Sequence, residues 1–316
     1  MKNQRYINVL KRLTGAAAVV LLGVGIFAQD ASAGIANTKH NLTGALGGAA
    51  ARNNSFTPTS GNGEICVFCH TPHGSDTSAA VPLWNRKLGT PTDYTTYNSL
   101  GTSSLDGATA PVGSVSLACL SCHDGTQAMN VMINKPGSGG YNPAGSALAG
   151  SWGTSTNVDA NGKLAGTNLI TLISTDLTND HPIGIQYAGG PKAGTVPAPG
   201  AADYSYTNDL FRDADFKAAS GAVLNGNSVW WVDTEATPNG TREKSDMQLY
   251  TRTGAAAVNG SGVQLKDGNN NPIVLAGAQP FVECASCHDP HTENVTFLRM
   301  TDGNKNSQIC LSCHTK

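Results

Sequence analysis

Cys66-Val67-Phe68-Cys69-His70-Thr71-Pro72-His73 is the stretch that decides how this chain is read. Two thiols three residues apart, followed at once by an imidazole, form the signature for covalent attachment of haem c. The thiols make thioether bonds to the porphyrin, and the adjacent histidine is an axial iron ligand. The pattern returns at Cys119-Leu120-Ser121-Cys122-His123, Cys284-Ala285-Ser286-Cys287-His288 and Cys310-Leu311-Ser312-Cys313-His314, and the four copies use all 8 cysteines. Zinc sites also use Cys-x-x-Cys pairs, and disulfides suit an exported chain, but neither needs a histidine after every second cysteine. Four covalently bound haem c groups are expected.

The histidines match that number. There are 8: His70, His123, His288 and His314 within the motifs, and His40, His73, His181 and His291 outside them. Four irons with two axial histidines each need eight. All eight are therefore candidate metal ligands, and a full set leaves no iron open to substrate, which points to electron transfer and to no catalytic residue. Methionine is the competing axial ligand. Met129 and Met132 follow the second motif closely, but the histidines already suffice, so a gap-filling role is expected for both.

A histidine three residues after its own motif histidine cannot swing to the far face of the same iron, so His73 and His291 should serve neighbouring haems. Cys-x-x-Cys-His-x-Pro-His followed by Cys-Leu-Ser-Cys-His occurs at 66–123 and again at 284–314, with motif spacings of 53 and 26 residues. If each copy forms a haem pair, His73 caps the haem at Cys119/Cys122 and His291 the haem at Cys310/Cys313. His40 and His181 are left for the haems at Cys66/Cys69 and Cys284/Cys287, in either order.

Residues 1–33 read as an export signal: Lys2, Arg5, Lys11 and Arg12 precede an apolar run from Thr14 to Ala28, and Ala31-Ser32-Ala33 is a small-residue cleavage site. The apolar run is short for a bilayer span, and no other stretch approaches that length. Removal of the leader leaves a formal charge of about −5, with no basic stripe, which argues against nucleic acid as a partner. A secreted protein, extracellular or on the outer cell surface by way of the periplasm and without a membrane span, is expected.

Charged residues make up only 13% of the chain, aromatics 6%, and there are 37 glycines. Such a chain has little apolar side chain to offset its conformational entropy. Large apolar plates fixed at two sulfurs and an iron would serve as core and staple. The expected fold class is a loop-rich multihaem c-type cytochrome, mostly irregular coil, with short helices at the motifs, a few β-hairpins and a haem stack as core. Its parts are the leader (1–33), an N-terminal haem pair (34–135), a Gly/Asn-rich central segment holding His181 (136–278) and a C-terminal haem pair (279–316). Within the central segment, Pro136 to Gly153 reads as a flexible connector. Asn161-Gly162, Asn225-Gly226, Asn239-Gly240 and Asp267-Gly268 read as turns, with hairpins expected around Asn225-Gly226 and Asp267-Gly268. Trp230 and Trp231 are expected to pack against haem or core.

Several elements together resemble the doubled-CxxCH multihaem cytochromes, and among them the OmcE-type tetrahaem filament cytochromes of metal-reducing bacteria. They are Thr38-Lys39-His40-Asn41-Leu42, Pro82-Leu83-Trp84-Asn85-Arg86, Asn179-Asp180-His181-Pro182, Phe297-Leu298-Arg299 and the motifs themselves. The resemblance implies bis-histidine haems, mostly coil structure and polymerisation into an extracellular conducting filament (a nanowire). It also implies an axial histidine shared between subunits, with His40 first and His181 second as the residue that reaches across. The implied partners are further copies of the chain, redox partner cytochromes and a mineral or other extracellular acceptor. A monomeric carrier on the same haems is the alternative, and a multihaem reductase would need at least one five-coordinate iron.

Overall fold

The computed structural model describes residues 34–43, 56–59, 64–78, 80–101, 108–137, 140–152, 157–180, 182–190, 213–252 and 279–315. The leader, His181 and the hairpin expected at Asp267-Gly268 lie outside the described residues. Within them regular structure is sparse, and each Cys-x-x-Cys-His motif sits on a short helical turn. These are a 3-10 turn at Cys66–Phe68, α1 (Ser114–His123), α2 (Cys284–Cys287) and α3 (Gln308–Cys313). Helical spacing puts positions i, i+3 and i+4 on one face, which is what two thiols and an imidazole aimed at one porphyrin require.

Strand pairing ties distant parts of the sequence together. β1 (Phe56–Pro58) pairs antiparallel with β4 (Gly150–Trp152), and β2 (Val131–Asn134) with β3 (Tyr141–Ala147). Pro136 to Gly153 is therefore no free connector in its described part: residues 141–147 and 150–152 are held by hydrogen bonds to strands on either side of the second motif. Ladder bonds supply partners for backbone groups that glycine-rich composition would leave to water.

The third sheet has five strands in the order β5-β9-β8-β7-β6, from β5 (Ile185–Gln186), β6 (Ser220–Leu224), β7 (Asn227–Val232), β8 (Met247–Arg252) and β9 (Gln279–Val282). The β6–β7 hairpin closes at Asn225-Gly226, with φ of 50° and 78°, the left-handed pair that a two-residue turn demands and that Asn-Gly tolerates best. β9 leads into the third motif, so the sheet crosses the division expected at 278, as β2–β3 crosses that at 135. Trp230 is buried in the sheet's core with Tyr187, Val232, Met247 and Leu249.

Apolar packing among the described residues is divided among small clusters, and several of them abut motif cysteines. The sheet core meets Cys287 and Cys313. A cluster of Tyr94, Val112, Leu117, Leu120, Leu177 and Ile183 meets Cys284. Phe56, Phe68, Met132 and Leu148 meet Cys69. Met129 and Met132 are both buried among protein groups, as gap-fillers would be.

The loop between β7 and β8 is organised by carboxylates. Asp233 accepts from the Trp231 indole at 2.8 Å and from the Gly240 amide at 2.9 Å. Asp246 accepts from the amides of Thr234 at 3.2 Å and Glu243 at 2.6 Å. Burial, with Glu235 nearby, pushes the Asp246 carboxyl up to about 6. A carboxyl raised by folding contributes stability that is complete below its ordinary pKa and is lost as pH rises through the folded value. The loop should therefore loosen between about pH 4 and 6. Hydrogen exchange at the Thr234 and Glu243 amides, corrected for intrinsic rates, is expected to show less protection at pH 8 than at pH 5; equal protection would contradict this.

Candidate haem-binding site

The motif histidines are oriented by the main chain. Nδ1 of His70 lies 2.9 Å from the Pro82 carbonyl, Nδ1 of His123 2.8 Å from that of Thr171, and Nδ1 of His288 2.9 Å from that of Thr296. A ring that donates through Nδ1 carries its lone pair on Nε2, and this is how metal-ligating histidines are normally held.

The carbonyls come from a recurring latch. Thr71 N donates to Leu83 O at 2.9 Å, and Asn85 N to Cys69 O at 2.8 Å. Asp289 N donates to Phe297 O at 2.8 Å, and Arg299 N to Cys287 O at 2.9 Å. Leu83 and Phe297 adopt φ of 59° and 58°, so each copy bends the same way to bring a carbonyl under its histidine. The last motif is latched similarly from far away in sequence: Thr315 N donates to Asp215 O and Lys217 N to Cys313 O, both at 2.7 Å. Central-segment residues 215–217 thus belong to the C-terminal motif. Sequence reading passed over them; the only local signal was the pair of stretches Pro82–Arg86 and Phe297–Arg299, while nothing around Phe216 resembles either.

The non-motif histidines fall differently from the expected partnering. The His291 ring lies against His70, with centroids 6.2 Å apart and planes at 15°. His40 lies against His123, with centroids 6.2 Å apart and planes at 77°. His291 therefore faces the first motif, where the repeat had suggested Cys310/Cys313, and His40 faces the second motif of its own chain, where the haems at Cys66/Cys69 and Cys284/Cys287 had been left to it. The reason is local. The Asp289 carboxylate accepts from the His291 amide at 2.9 Å and holds its Nδ1 at 3.3 Å, which turns that ring away from its own copy. His40 stacks on Phe297 at 4.1 Å. His73 and His314 are both exposed. The His73 ring has no hydrogen-bond or ring partner among the described residues, and His314 packs on Phe216 at 4.1 Å.

These distances fit an iron between the rings. An imidazole nitrogen sits about 2 Å from a first-row metal and its ring centre about 1 Å further, so two imidazoles trans on one iron hold their centres roughly 6 Å apart. Nδ1 of His40 is buried without a hydrogen-bond partner, a lone pair left over. Burial, then His123, pushes the His40 imidazolium down to about 4, so the ring is neutral and able to ligate at pH 7.

The thiols run in sequence through the fold. Cys69 is raised to about 12 by burial and by Cys122 beside it, and Cys287 to about 11 by burial, with Cys284 and Cys310 adding to it. Between these, Cys119 and Cys284 act on one another, the Cys119 thiol being pushed up and the Cys284 thiol down. A buried clamp holds that junction: Glu283 pairs with Arg252 at 2.7 Å and accepts from Ser116 at 2.5 Å, while Ser116 Oγ accepts from the Cys284 amide at 3.1 Å.

The family model of the doubled CXXCH motif matches residues 279–316. Such motifs indicate covalently bound haem c and a multihaem c-type cytochrome in electron transfer. The matched stretch covers β9, α2 and α3; the first copy, at 66–123, lies outside it but carries the same latch. No curated protein matches the chain. Among the described residues, no helix is long and apolar enough to cross a membrane.

Proposed function

We propose that this chain is an exported tetrahaem electron carrier in which every iron is held by two histidines, and that it polymerises outside the cell into a conducting filament. The observation that carries the reading is the matched 6.2 Å spacing of His70 with His291 and of His40 with His123. Haem c supplies a one-electron couple at each site. The chain's own residues then do three things. Backbone carbonyls fix the motif rings, the second ring of each pair closes the iron to outside ligands, and the cysteine sequence 69–122, 119–284, 287–310 sets neighbouring sites side by side.

Two histidines outside the motifs remain for the irons at His288 and His314. In a filament, the exposed His73 of one copy is the residue available to the iron at His314 of the next, and His181 is left by elimination for the iron at His288. This role falls to His73, since His40 is taken up within its own chain. The small apolar clusters that end at cysteines support a shared porphyrin core.

Electron paramagnetic resonance of the oxidised holoprotein tests the ligation. Near-parallel and near-perpendicular imidazole pairs give distinct low-spin signals, so at least two classes are expected, with no high-spin haem and no rapid carbon monoxide binding after reduction. A high-spin fraction of one haem or more would replace the carrier with a reductase. Electron microscopy of the same sample tests the polymer: monomers alone at high concentration would leave a carrier and remove the filament.

A further inference from the structure

Among the described residues, His291 is the one second-ring histidine whose Nδ1 meets a carboxylate. The motif rings His70, His123 and His288 use neutral carbonyls. Asp289 Oδ1 lies 3.3 Å from His291 Nδ1 and also accepts the His291 amide at 2.9 Å. Its other oxygen lies 3.8 Å from the largely exposed Lys244 ammonium. Asp289 itself is buried, 8% exposed, so its charge is poorly screened by water. In the first copy the same position is Thr71, whose hydroxyl donates to the His73 carbonyl at 2.9 Å and brings no charge near that ring.

We propose that Asp289 is a positioning residue that sets the potential of a single haem, the one held by Cys66, Cys69 and His70. This rests on the bis-histidine reading above. A carboxylate on Nδ1–H makes the imidazole a stronger donor through its other nitrogen, as in carboxylate–histidine–metal arrangements. Both that donation and the carboxylate's charge favour the ferric state, so this haem is the more reducing for Asp289. The carboxylate comes from the second copy and the haem from the first. The effect therefore differentiates two sites that the repeated sequence would otherwise make alike.

The test is a potentiometric titration of the holoprotein, followed in the visible spectrum and by electron paramagnetic resonance, for the natural chain and Asp289→Asn. Asparagine keeps an oxygen for the His291 amide and removes only the charge. The expected result is that one midpoint potential rises, the oxidised-to-reduced ratio of that haem at a fixed potential falling about tenfold, or about 59 mV for a one-electron couple. The shifted haem should be the one with the near-parallel low-spin signal, and haem content should be unchanged. Superimposable titrations, or all four potentials moving together, would overturn the proposal. Should Asp289→Asn fail to mature, Lys244→Gln reports instead. Lys244 is 65% exposed in its side chain, and losing it strengthens the carboxylate's field, so the same haem should move about twofold in the opposite direction. No shift, or an upward one, overturns it. The natural chain's own low-spin spectrum checks the underlying ligation separately, so the two failures are distinguishable.

Discussion

Replacing His291 by alanine is expected to open one iron. In the oxidised holoprotein one haem in four should turn from low to high spin, and on reduction the same fraction should bind carbon monoxide within the mixing time. The remaining three should keep their signals. His291 approaches His70 to 6.2 Å with planes at 15°, and the motif itself offers no competing donor. His40→Ala should do the same at the second motif, where the rings cross at 77°, and should remove the other class of low-spin signal. If His291→Ala instead exposed the haem at Cys310/Cys313, which separation of haem-loss fragments would reveal, the partnering read from the repeat would be restored and the cross-copy arrangement would fall. A variant with all four haems still low-spin would show that another ligand reaches that iron.

The second large effect is on stability. Arg86 is fully buried, with no carboxylate partner among the described residues. Its guanidinium donates to Ser121 Oγ at 3.2 Å and to four carbonyls: Ser121 at 2.8 Å, Ala128 at 3.0 Å, Met129 at 2.8 Å and Val131 at 2.9 Å. Ser121 O lies in the last turn of α1, where unpaired carbonyls and the negative end of the helix dipole both favour a cation. Arg86→Leu strips donors from five buried or part-buried acceptors at once. A loss of about 4 kcal/mol is expected, the scale for breaking a buried charged network. It should appear in guanidinium unfolding of the holoprotein as a lower midpoint at unchanged slope. Arg86→Lys should recover less than half, because an ammonium cannot reproduce the planar fork. A loss under 1 kcal/mol would mean that the carbonyls find water.

Much of the chemistry was legible in the residue order. Cys-x-x-Cys-His carries thiols and proximal imidazole in one short turn, so helical geometry alone aims them together, and the Asn225-Gly226 hairpin follows from two positive-φ residues between apolar runs. What sequence reading missed were contacts between segments without matching signals. Phe216 bridges to His314 across about a hundred residues, and Thr171 reaches back to His123 across 48. Neither segment has a composition that marks it as a latch. Residues 141–147 looked like a linker because the surrounding stretch Pro136 to Gly153 is rich in Gly and Ser; their order comes from pairing with Val131–Asn134, a property of the partner strand.

The two sequence copies suggested two modules, each supplying its own second ligands. Residue order alone determined which atoms can bind porphyrin and iron, since thioether chemistry and imidazole ligation depend on side-chain type and on spacing within a single turn. Which ring faces which was decided only by tertiary structure. The approach of residues as far apart as His70 and His291 is set by the Asp289 turn, and that of His40 to His123 by the Phe297 stack.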